Sequence, residues 1–580
     1  MSDINPPVVK KIDYNAKALR ELREETHNNE LLFDYPTVYL IYKRDANGQY
    51  NVYVGETNNI RQRTKQHLIE DPKTRKDWKA FRKEKGVNMI VIGHDQFNKS
   101  LTLDIENKMM LYMSGVTSVK KLNNRRENDQ NKYYTEEVRD NIFSKVWRKL
   151  RKLEGNLFPL ERIIQDSALF KASPFHKLTS EQIEAKDLIL ERLMTSLLSE
   201  QENQLILVEG EAGSGKTVLL SSIFYLLHQY SNGNEHPEFK NLSSFLLVNH
   251  DEQLKVYNDI IKELEINSKE VVSKPTHFIT THDPKEKVDV VLVDEAHLLW
   301  TQGKQSYQGK NQLKDIMARA KVVVAIFDPK QVLKTEGYLE DTAIRELEAH
   351  AESQKNLVRL ENQMRINADE ETVSWIRALT DQREVWPIHQ DSKGYDLRIF
   401  DDPVEMYHQI KLRNEDRDNA GLSRMVATFD WDYKQKGKPD DGDHWMVDAD
   451  NLHLPWNLQL PIDEDQKHMA KKLAWSEQKQ TIGEIGSTYT IQGFDLNYCG
   501  VIIGPSVKYR NGKIIFDPNE SHNSNAIRQR TLDDGRKEYV SDQLLANELN
   551  VLLTRGVNGL YLYAVDEKLR NKLISEYDEL

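Results

Sequence analysis

The chain has 580 residues, of which 38% are hydrophobic and 30% are charged, and its formal net charge is −12. It contains no apolar run near the roughly 20 residues of a membrane span and no apolar secretory signal, and its single cysteine excludes an internal disulfide framework or a cysteine-based zinc site. We therefore expect a soluble, cytoplasmic protein of several domains with no membrane partner.

Positive charge is concentrated toward the N-terminus. Residues 1–170 contain 31 Lys and Arg against 24 Asp and Glu, whereas the remainder contains 49 against 68. A basic section of this kind can bind a polyanion such as nucleic acid. A solvated surface is the alternative interpretation, and charge alone favours it.

The N-terminal section is predicted to form a polar helical segment over residues 1–30 and a small α+β domain over 31–130. The pattern predicts, in chain order, a hairpin with an Asn-Gly turn at Asp45–Gly48, a basic helix after Asn58, the short strand NMIVIG and a helix after Leu103.

Residues 131–175 are predicted to be a helical connector. Apolar residues recur there at helical spacing, and basic residues lie largely on the other side. A helix packed on its neighbour with a solvated basic face is the favoured interpretation, and nucleic-acid contact is the alternative. The apolar stripe consists of Val138, Ile142, Phe143, Val146, Trp147 and Leu150.

From about Phe175 onward, short runs of Val, Ile and Leu alternate with helical segments. Continuous apolar runs separated by helices indicate buried parallel strands in an α/β fold. About 400 residues with this pattern exceed one sheet of ordinary size. We therefore predict two parallel-sheet domains, over residues 176–345 and 346–580, and an overall α/β fold class.

A phosphate-binding loop is predicted where the segment GEAGSGKT follows an apolar strand and opens a helix. It matches the pattern G-x-x-x-x-G-K-[ST] in full. In such a loop, backbone N–H groups surround the phosphates, a lysine reaches the terminal phosphates, and a hydroxyl binds Mg²⁺. The candidate nucleotide-binding residues are Gly210, Gly213, Gly215, Lys216 and Thr217.

The run VVLVDEAH delivers Asp294 and Glu295 at the end of a predicted strand. After a phosphate loop, this pair predicts that Asp294 binds Mg²⁺ and that Glu295 orients or deprotonates the attacking water. For an isolated Asp-Glu pair, the start of a loop or a helix cap would be the alternative.

Six motifs in order over about 375 residues resemble those of superfamily 1 helicases: the phosphate loop, LTSEQ, AIFDPKQ, LENQMR, STYTIQGFD and NVLLTRG. In the AIFDPKQ motif, Phe327 replaces the family's glycine. The resemblance implies an ATP- and Mg²⁺-dependent motor, with one glutamine reading adenine, one sensing the γ-phosphate, and arginines stabilising its charge when a cleft closes. The residues implied in this way are Gln182, Gln331, Arg365, Gln492, Gly493 and Arg555.

The segments SPFHKLTSEQ, VATFDWDY, HLPWNLQ and STYTIQGFDLNYCGVIIG narrow the resemblance to the bacterial helicase domain related to the Schlafen group, over roughly residues 175–575. Three tryptophans there, Trp431, Trp445 and Trp456, could stack on single-stranded bases. Anchoring in the core or in loops is the favoured alternative.

Residues 31–130 resemble the GIY-YIG endonuclease domain. The triplets TVY and YVG correspond to the two triplets of its name, with Thr37 and Val38 in place of glycine and isoleucine. The later family positions are occupied by Arg63, His67, Glu106 and, for the terminal asparagine, Asn123 or Asn124.

This resemblance implies a metal-dependent phosphodiesterase with an activated water, a Lewis acid and a cation for the developing charge. It implies that Glu106 binds one Mg²⁺ or Mn²⁺, that Tyr53 is the general base with Tyr39 assisting, that Arg63 binds phosphate, and that His67 orients a tyrosine or a water. The alternative is a hairpin whose tyrosines form a cross-strand pair. Backbone phosphates are expected to contact Arg61, Lys65, Lys73, Arg75, Lys76 and Lys79.

Together these patterns predict an ATP-dependent nuclease–helicase that acts on nucleic acid, with DNA favoured over RNA. The domain combination suggests bacterial DNA processing, including defence against phage. Two alternatives from another class stay open. One is a non-cleaving nucleic-acid-binding module fused to an ATP-driven remodeller, and the other is an ATPase switch that senses nucleic acid.

Overall fold

The computed structural model describes residues 4–25, 30–83, 86–116, 118–123, 133–176, 178–199, 203–210, 213–232, 239–263, 271–303, 307–360, 363, 365–416, 421–434, 437–440, 442–464, 467, 473–532 and 534–577. The chain divides into two compact units, Met1–Lys177 with Val256–Lys269 and Leu178–Lys255 with Glu270–Leu580. None of the described helices is both long and apolar enough to cross a membrane.

The first unit is built on one five-stranded sheet in the order β1-β4-β2-β3-β5. Its strands are β1 (Val8–Asp13), β2 (Thr37–Arg44), β3 (Tyr50–Thr57), β4 (Asn88–Gly93) and β5 (Val119–Leu122). Its helices are α1 (Ala16–Glu25), α2 (Glu30–Phe33), α3 (Ile60–Ile69), α4 (Asp71–Thr74), α5 (Lys76–Lys83), α6 (Lys99–Ser114), α7 (Arg139–Leu153), α8 (Glu161–Asp166) and α9 (Ala168–Lys171).

The hairpin predicted from the Asn-Gly pair is confirmed. Strands β2 and β3 pair antiparallel, from Thr37 opposite Thr57 to Arg44 opposite Tyr50. The turn is closed by a 2.7 Å hydrogen bond from the Asp45 N–H to the Gln49 carbonyl oxygen. Gly48 occupies the left-handed region at a φ of 81°, which glycine adopts without steric cost.

The structure differs from the sequence prediction at residues 1–30, where a strand precedes the helix. Strand β1 pairs antiparallel with β4, so that Val8 lies opposite Gly93 and Asp13 opposite Asn88. It is an edge strand with partly exposed side chains, so its sequence VVKKID lacks the buried apolar run that marks a central strand.

Helix α7 belongs to the first unit and anchors its N-terminal segment. Five residues of the predicted apolar stripe are buried on this helix, as predicted, whereas the sixth, Val138, is half-buried in the 3₁₀ turn before it. On the basic side, the Nζ atoms of Lys145 and Lys149 donate to the carbonyl oxygens of Ile4 and Pro7. These lysines therefore stabilise the chain segment that leads into β1.

The second unit contains two parallel sheets, and the α/β fold class is confirmed. The first sheet has the order β11-β6-β10-β9-β7-β8. Its strands are β6 (Gln204–Gly210), β7 (Ser244–Val248), β8 (Val272–Ser273), β9 (Val288–Asp294), β10 (Ala320–Phe327) and β11 (Leu357–Leu360). The helices of this region are α10 (Ser180–Leu197), α11 (Lys216–Asn232), α12 (Asp251–Glu263, which spans the division between the units), α13 (Pro275–Thr281), α14 (Gln312–Met317) and α15 (Asp341–Ser353).

The second sheet has the order β12-β22-β17-β13-β16. Its strands are β12 (Asp396–Ile399), β13 (Arg424–Ala427), β16 (Ile485–Ser487), β17 (Leu496–Ile503) and β22 (Gly556–Ala564). Its helices are α16 (Glu370–Ala378), α17 (Pro403–Glu415), α18 (Thr488–Ile491), α19 (Ser524–Ile527), α20 (Ser541–Leu553) and α21 (Glu567–Tyr577). Three antiparallel hairpins accompany this sheet: β14 (Met446–Ala449) with β15 (Leu452–Pro455), β18 (Val507–Arg510) with β19 (Lys513–Phe516), and β20 (Gln529–Thr531) with β21 (Lys537–Tyr539).

The central strands of the first sheet are almost wholly apolar and buried, because helices cover a parallel sheet on both faces. Their carboxyl ends meet at one edge of the sheet, where ligands bind in open α/β folds. The boundary predicted at residue 345 differs from the structure, because β11 pairs with β6 and completes the first sheet.

Candidate active sites

The two tyrosines predicted for the nuclease site, Tyr39 and Tyr53, lie on one face of the β2–β3 hairpin. Tyr39 pairs with Gly55 and Ile41 with Tyr53, so the two aromatic rings are diagonal neighbours with centroids 6.1 Å apart. A Cβ atom on Gly55 would lie 2.5 Å from both Cζ and Oη of Tyr39. Glycine at this position therefore creates the space that the Tyr39 side chain occupies.

Helix α3 brings Arg63 and His67 to these tyrosines. The helix begins after Asn59, whose side chain accepts a hydrogen bond from the Gln62 N–H, and residues four apart lie on one helix face. The Tyr39 hydroxyl is 2.7 Å from Nε2 of His67, and Nε of Arg63 donates to the same hydroxyl over 3.4 Å. The structure thus brings three of the predicted nuclease residues into direct contact.

The other side of His67 is held by residues that no sequence motif assigns to the site. Nδ1 of His67 is 2.5 Å from Oδ2 of Asp71, and the imidazole stacks on Trp78 with ring centroids 3.6 Å apart. Gln66 accepts a hydrogen bond from Arg63 and donates to Asp71. The i to i+4 spacing of His67 and Asp71 is the sequence signal that could have identified this pair.

Burial controls the protonation of this cluster. Burial raises the pKa of Tyr39 well above its usual value, and it also raises the pKa of Tyr53, against the opposing charge of Arg63. Burial and the charge of Arg63 lower the pKa of His67 to about 4, although Asp71 opposes this shift. At neutral pH the tyrosines are therefore protonated and His67 is a neutral hydrogen-bonding ring.

Glu106 lies on helix α6 with 6% of its surface exposed, and its charge contributes to the raised pKa of Tyr53. A single carboxylate suits Mg²⁺, which keeps several water ligands and is bound by one or two protein carboxylates. Among the residues that the structure describes, no three His, Cys, Asp or Glu side chains are grouped as a metal site. The residue that could hold a divalent ion here is Glu106, with water as the other ligands.

The other residues predicted for the nuclease differ in their surroundings. The Nδ2 atom of Asn123 donates to the Val52 carbonyl oxygen over 3.1 Å, which ties the end of β5 to β3. Asn124 and the Lys76 side chain lie outside the described residues. Arg75 is half-buried over the Trp78 ring. The exposed basic side chains are those of Arg61, Lys65, Lys73 and Lys79.

In the second unit, the predicted phosphate loop follows β6 and leads into α11. Gly213 and Gly215 have φ angles of 90° and 75°, and a Cβ on Gly210 would lie 2.6 Å from Oγ of Ser214. Such a backbone can turn its N–H groups toward an anion. Lys216 donates from Nζ to the Gly210 carbonyl oxygen over 2.6 Å. The glycine cradle and the lysine therefore fit bound phosphates.

Gln182 lies beside this loop. Its Nε2 donates to the Ser214 carbonyl oxygen over 3.3 Å, while its Oε1 accepts from the Thr179 N–H over 2.9 Å as part of a capping box. The residue predicted to read adenine is thus linked to the phosphate loop through its own side chain.

A polar path joins the second sheet to the phosphate loop. Arg555, which is fully buried, donates from Nη2 to Oε1 of Gln331 over 3.2 Å. Gln331 donates to Oδ2 of Asp328 over 2.7 Å, and this oxygen is 3.7 Å from Nζ of Lys216. Burial lowers the pKa of Arg555 to about 10, and the charge of Arg365 adds to this shift. The path connects Arg555, which follows α20, with Lys216 of the predicted phosphate loop.

Two other residues predicted for the helicase site, Gln492 and Arg365, interact with members of this path. Gln492 donates to the Gln331 carbonyl oxygen over 3.3 Å, and Gly493 has a φ of 86°. Arg365 follows β11, and its Nε is 2.5 Å from Oδ1 of Asp495. Arg365 is thus held by a carboxylate two residues beyond Gly493.

Asp294 and Glu295 stand at the carboxyl end of β9. The Glu295 N–H donates to Oδ1 of Asp294 over 3.0 Å, and Glu295 has a left-handed φ of 50°. Thr217 is the second residue of α11, so its hydroxyl and the Asp294 carboxylate are the groups that could hold a magnesium ion there.

Two histidines near Glu295, the buried His297 and the half-buried His250, were not assigned to the site from sequence. Nε2 of His297 is 3.1 Å from Oε2 of Glu295. Burial lowers the pKa of His297 and lowers that of His250 to about 4, while the charge of Glu295 opposes both shifts. Both rings are therefore neutral. The position of His250 just after β7 is the signal that could have identified it.

The tryptophans of the second unit differ in exposure. Trp456 is fully buried in the core of the second sheet, whereas Trp431 and Trp445 are half-buried at its margin. Trp431 donates from Nε1 to the Asp448 carbonyl oxygen over 3.0 Å. These positions favour the anchoring interpretation for Trp456.

Comparisons with known proteins agree with this architecture. The chain matches the family model of the Schlafen group 3, DNA/RNA helicase domain over residues 203–566 and that of the GIY-YIG catalytic domain over residues 35–111. It is 33% identical over 428 residues to the uncharacterized protein YPL245W of Saccharomyces cerevisiae, which covers 68% of this chain and 90% of the yeast protein.

A solved complex of the Arterivirus nonstructural protein 10 helicase with DNA aligns with a TM-score of 0.26 and 14% identity, over 64% of this chain and 62% of the viral chain. The Schlafen helicase match alone spans more than half of the residues. The chain therefore belongs to the Schlafen group 3 DNA/RNA helicase family and carries a GIY-YIG domain before its helicase domain.

Proposed function

We propose that this protein is an ATP-dependent nuclease–helicase, in which a metal-dependent GIY-YIG nuclease is joined to an ATP-hydrolysing superfamily 1 motor. One observation carries the proposal: each unit brings side chains that its motifs predict for hydrolysis into one hydrogen-bonded cluster. In the first unit the cluster is Tyr39, Arg63 and His67, and in the second it is the path from Arg555 to Lys216.

In the nuclease, Tyr53 accepts a proton from the attacking water, with Tyr39 assisting, and Arg63 binds the scissile phosphate. Glu106 would hold one Mg²⁺ or Mn²⁺, which supplies Lewis-acid stabilisation of the developing negative charge. Burial of the tyrosines disfavours their ionised form, so positive charge at the phosphate has to stabilise a developing phenolate. Arg63, 3.4 Å from the Tyr39 hydroxyl, is suited to this role.

In the motor, the loop around Lys216 binds the phosphates of ATP, and Thr217 and Asp294 would hold the Mg²⁺ that neutralises phosphate charge. Glu295 orients the attacking water. Arg555 engages Gln331 in the structure, and we propose that Arg555 and Arg365 turn to the γ-phosphate during hydrolysis. Exchange of partners at Gln331 would then couple hydrolysis to movement of the second sheet.

Nucleic acid is the proposed substrate of both units, and DNA is favoured over RNA. The side chains of Arg61, Lys65, Lys73 and Lys79 are exposed on the first unit and suit contact with backbone phosphates. Such contacts position a strand without reading its sequence.

A cross-comparison of two variants in the full-length protein tests the proposal. Supercoiled and single-stranded DNA and single-stranded RNA are incubated with Mg²⁺ or Mn²⁺, and ATP hydrolysis is measured beside cleavage. Glu106→Gln is expected to abolish cleavage and keep ATP hydrolysis, whereas Lys216→Ala is expected to abolish ATP hydrolysis. Wild-type protein that hydrolyses ATP but cuts none of these substrates would favour the non-cleaving remodeller or the sensing switch, and a strand-displacement assay separates those two.

A nuclease fused to a motor also supports a role in destroying foreign nucleic acid, including phage DNA in a bacterial cell. We expect cells that produce the wild-type protein to resist phage infection, measured as plaque counts. Loss of protection in both Glu106→Gln and Lys216→Ala is the expected result. Full protection by either variant would contradict this role.

A further inference from the structure

A carboxylate, an imidazole and a phenol lie in line within the first unit. Oδ2 of Asp71 is 2.5 Å from Nδ1 of His67, and Nε2 of the same ring is 2.7 Å from the Tyr39 hydroxyl oxygen. The ring and the hydroxyl are both buried, and Asp71 lies at the start of α4 with its side chain 16% exposed. These three groups are therefore shielded from competing water.

The geometry determines which nitrogen of His67 carries the proton. A carboxylate only accepts hydrogen bonds, so Nδ1 donates its hydrogen to Asp71. Burial and Arg63 keep the ring neutral, with a pKa lowered to about 4, so Nε2 has a free electron pair. The Tyr39 hydroxyl therefore donates to Nε2. The hydrogen of Tyr39 already points at a base.

We propose that Asp71 is a positioning residue of the nuclease reaction: it holds His67 in the Nδ1–H form, so that Nε2 accepts the hydroxyl proton of Tyr39 during cleavage. This inference rests on the proposed nuclease function and specifies how Tyr39 assists Tyr53. Asp71 does not contact the reacting phosphate. Asp71 acts through His67. When the imidazole takes up the proton, the Asp71 carboxylate stabilises the positive imidazolium.

The proposed proton transfers run from the attacking water through Tyr53 and Tyr39 to His67, and every proton is accounted for. Tyr53 takes a proton from water while its own hydroxyl proton passes to Tyr39, and the Tyr39 proton passes to Nε2 of His67. The Tyr39 and Tyr53 rings are direct neighbours, with centroids 6.1 Å apart. The hydroxide formed from water bonds to phosphorus, the bond to the leaving oxygen breaks, and that oxygen takes a proton from solvent. His67 finally returns its proton to solvent.

The neighbours of His67 keep this line in place. Trp78 covers one face of the imidazole at a 13° interplanar angle. Gln66 joins Asp71 to Arg63, with hydrogen bonds of 3.4 Å and 2.8 Å. The charged groups that act on His67 are Arg63 and Arg75, which disfavour its protonation, and Asp71, which favours it. Loss of Asp71 would leave two positive charges unopposed and block proton transfer to the ring.

The test compares Asp71→Asn with Glu70→Gln, which removes the same charge from an exposed neighbour at the end of α3. Single-turnover cleavage of supercoiled DNA by the full-length protein with Mg²⁺ is measured from pH 6 to pH 9. We expect Asp71→Asn to lower the single-turnover rate constant about 100-fold at pH 7 without changing the protein concentration that gives half-saturation, within the range of general acid–base effects. Its rate should then rise about tenfold per pH unit as solvent hydroxide replaces the relay. Glu70→Gln should match the wild type.

A structural role for Asp71 predicts a different profile. Wild-type activity in Asp71→Asn, or a loss of equal size at every pH, would overturn the inference. The Tyr39→Phe variant adds a second check, because Asp71→Asn should cost nothing further in that background. If Glu106→Gln abolished cleavage while Asp71→Asn stayed fully active, the inference about Asp71 alone would be refuted. If the wild-type protein cut no substrate, the proposed nuclease function would be refuted as well.

Discussion

At the residue scale, the position of the Tyr39 side chain depends on the glycine that faces it. Gly55 stands opposite Tyr39, and a Cβ there would lie 2.5 Å from the Tyr39 ring and 2.9 Å from the Tyr53 ring. We expect Gly55→Ala to displace the Tyr39 hydroxyl from His67 and to lower the free energy of unfolding by about 1–3 kcal/mol, as overpacking does. Cleavage should fall at least tenfold, because the hydrogen bond to His67 is lost.

Gly155→Ala is the matched control for this substitution, since its added Cβ would meet only the Arg151 carbonyl oxygen at 3.4 Å. Cleavage rates and thermal unfolding of both variants are compared with the wild type. Gly55→Ala with wild-type cleavage would show that the Tyr39 position is irrelevant to activity.

Arg555 gives a second prediction at this scale. Its guanidinium donates to the carbonyl oxygens of Val551 and Phe494 and to Oε1 of Gln331, three contacts that a lysine ammonium cannot reproduce from the same position. We expect Arg555→Lys to lower kcat for ATP hydrolysis by roughly 10³-fold, the size of an arginine-finger effect, with a smaller change in KM. Steady-state ATPase assays measure this change.

Arg536→Lys provides the comparison, because Arg536 is exposed and pairs with Asp534 in a turn. It should hydrolyse ATP at the wild-type rate. An Arg555→Lys enzyme with an unchanged kcat would remove Arg555 from the proposed motor.

The site residues that can be predicted from the sequence are those that belong to a motif. Lys216 and Asp294 follow from a pattern in which spacing and chemistry are linked, and in the structure they follow β6 and end β9, the two strands on either side of β10. Asp71 and His250 escaped prediction because their roles depend on which side chain they meet in space. The spacing of Asp71 from His67 and the position of His250 after β7 become informative only once the fold shows Asp71 beside His67 and His250 near Glu295.

At the element scale, the loop after β10 is held by helix α20. Nδ2 of Asn547 donates to the carbonyl oxygens of Pro329 and Val332 over 3.2 Å and 2.9 Å. We expect Asn547→Ala to lower the free energy of unfolding by about 1–3 kcal/mol, because buried carbonyl oxygens lose their donor. The freed loop carries Gln331, so kcat for ATP hydrolysis should fall about tenfold.

The exposed Asn519, which bonds only within its own turn, supplies the control substitution Asn519→Ala. Chemical unfolding and ATPase assays are run on both variants. If Asn547→Ala behaved like Asn519→Ala in both assays, helix α20 would have no part in holding the loop.

Element prediction succeeded where burial imposes a pattern and failed at sheet edges. The central strands β9 and β10 read as apolar runs because both of their faces are covered. Strand β1 is half exposed, and β11 is only four residues long, so neither produces a clear signal. Their membership in the two sheets depends on pairing with distant strands, which no local pattern encodes.

At the scale of the whole molecule, two buried carboxyl groups link stability to pH. Burial raises the pKa of Glu548 to about 8 and that of Asp430 to about 6, and each group is near 4 in an unfolded chain. The folded state therefore binds more protons than the unfolded state between about pH 4 and pH 8. This contribution to stability is complete below pH 4 and is lost as the pH rises through 8.

We expect the thermal unfolding temperature of the wild type to fall from pH 6 to pH 9 more steeply than that of Glu548→Gln, whose side chain stays neutral. The difference in unfolding free energy over this range should be on the order of 1–3 kcal/mol. Glu567→Gln, at an exposed position of α21, should keep the wild-type slope. Parallel curves for Glu548→Gln and the wild type would contradict the assigned protonation.

The most direct test of the nuclease–helicase account is the rate of DNA cleavage by the full-length protein with Mg²⁺, with and without ATP, in the wild type, Glu106→Gln and Lys216→Ala. We predict that the wild type cuts DNA, that ATP changes its rate, that Glu106→Gln cuts nothing, and that Lys216→Ala cuts at a rate independent of ATP. Cleavage that survives in Glu106→Gln, or an ATP response that survives in Lys216→Ala, would contradict the account.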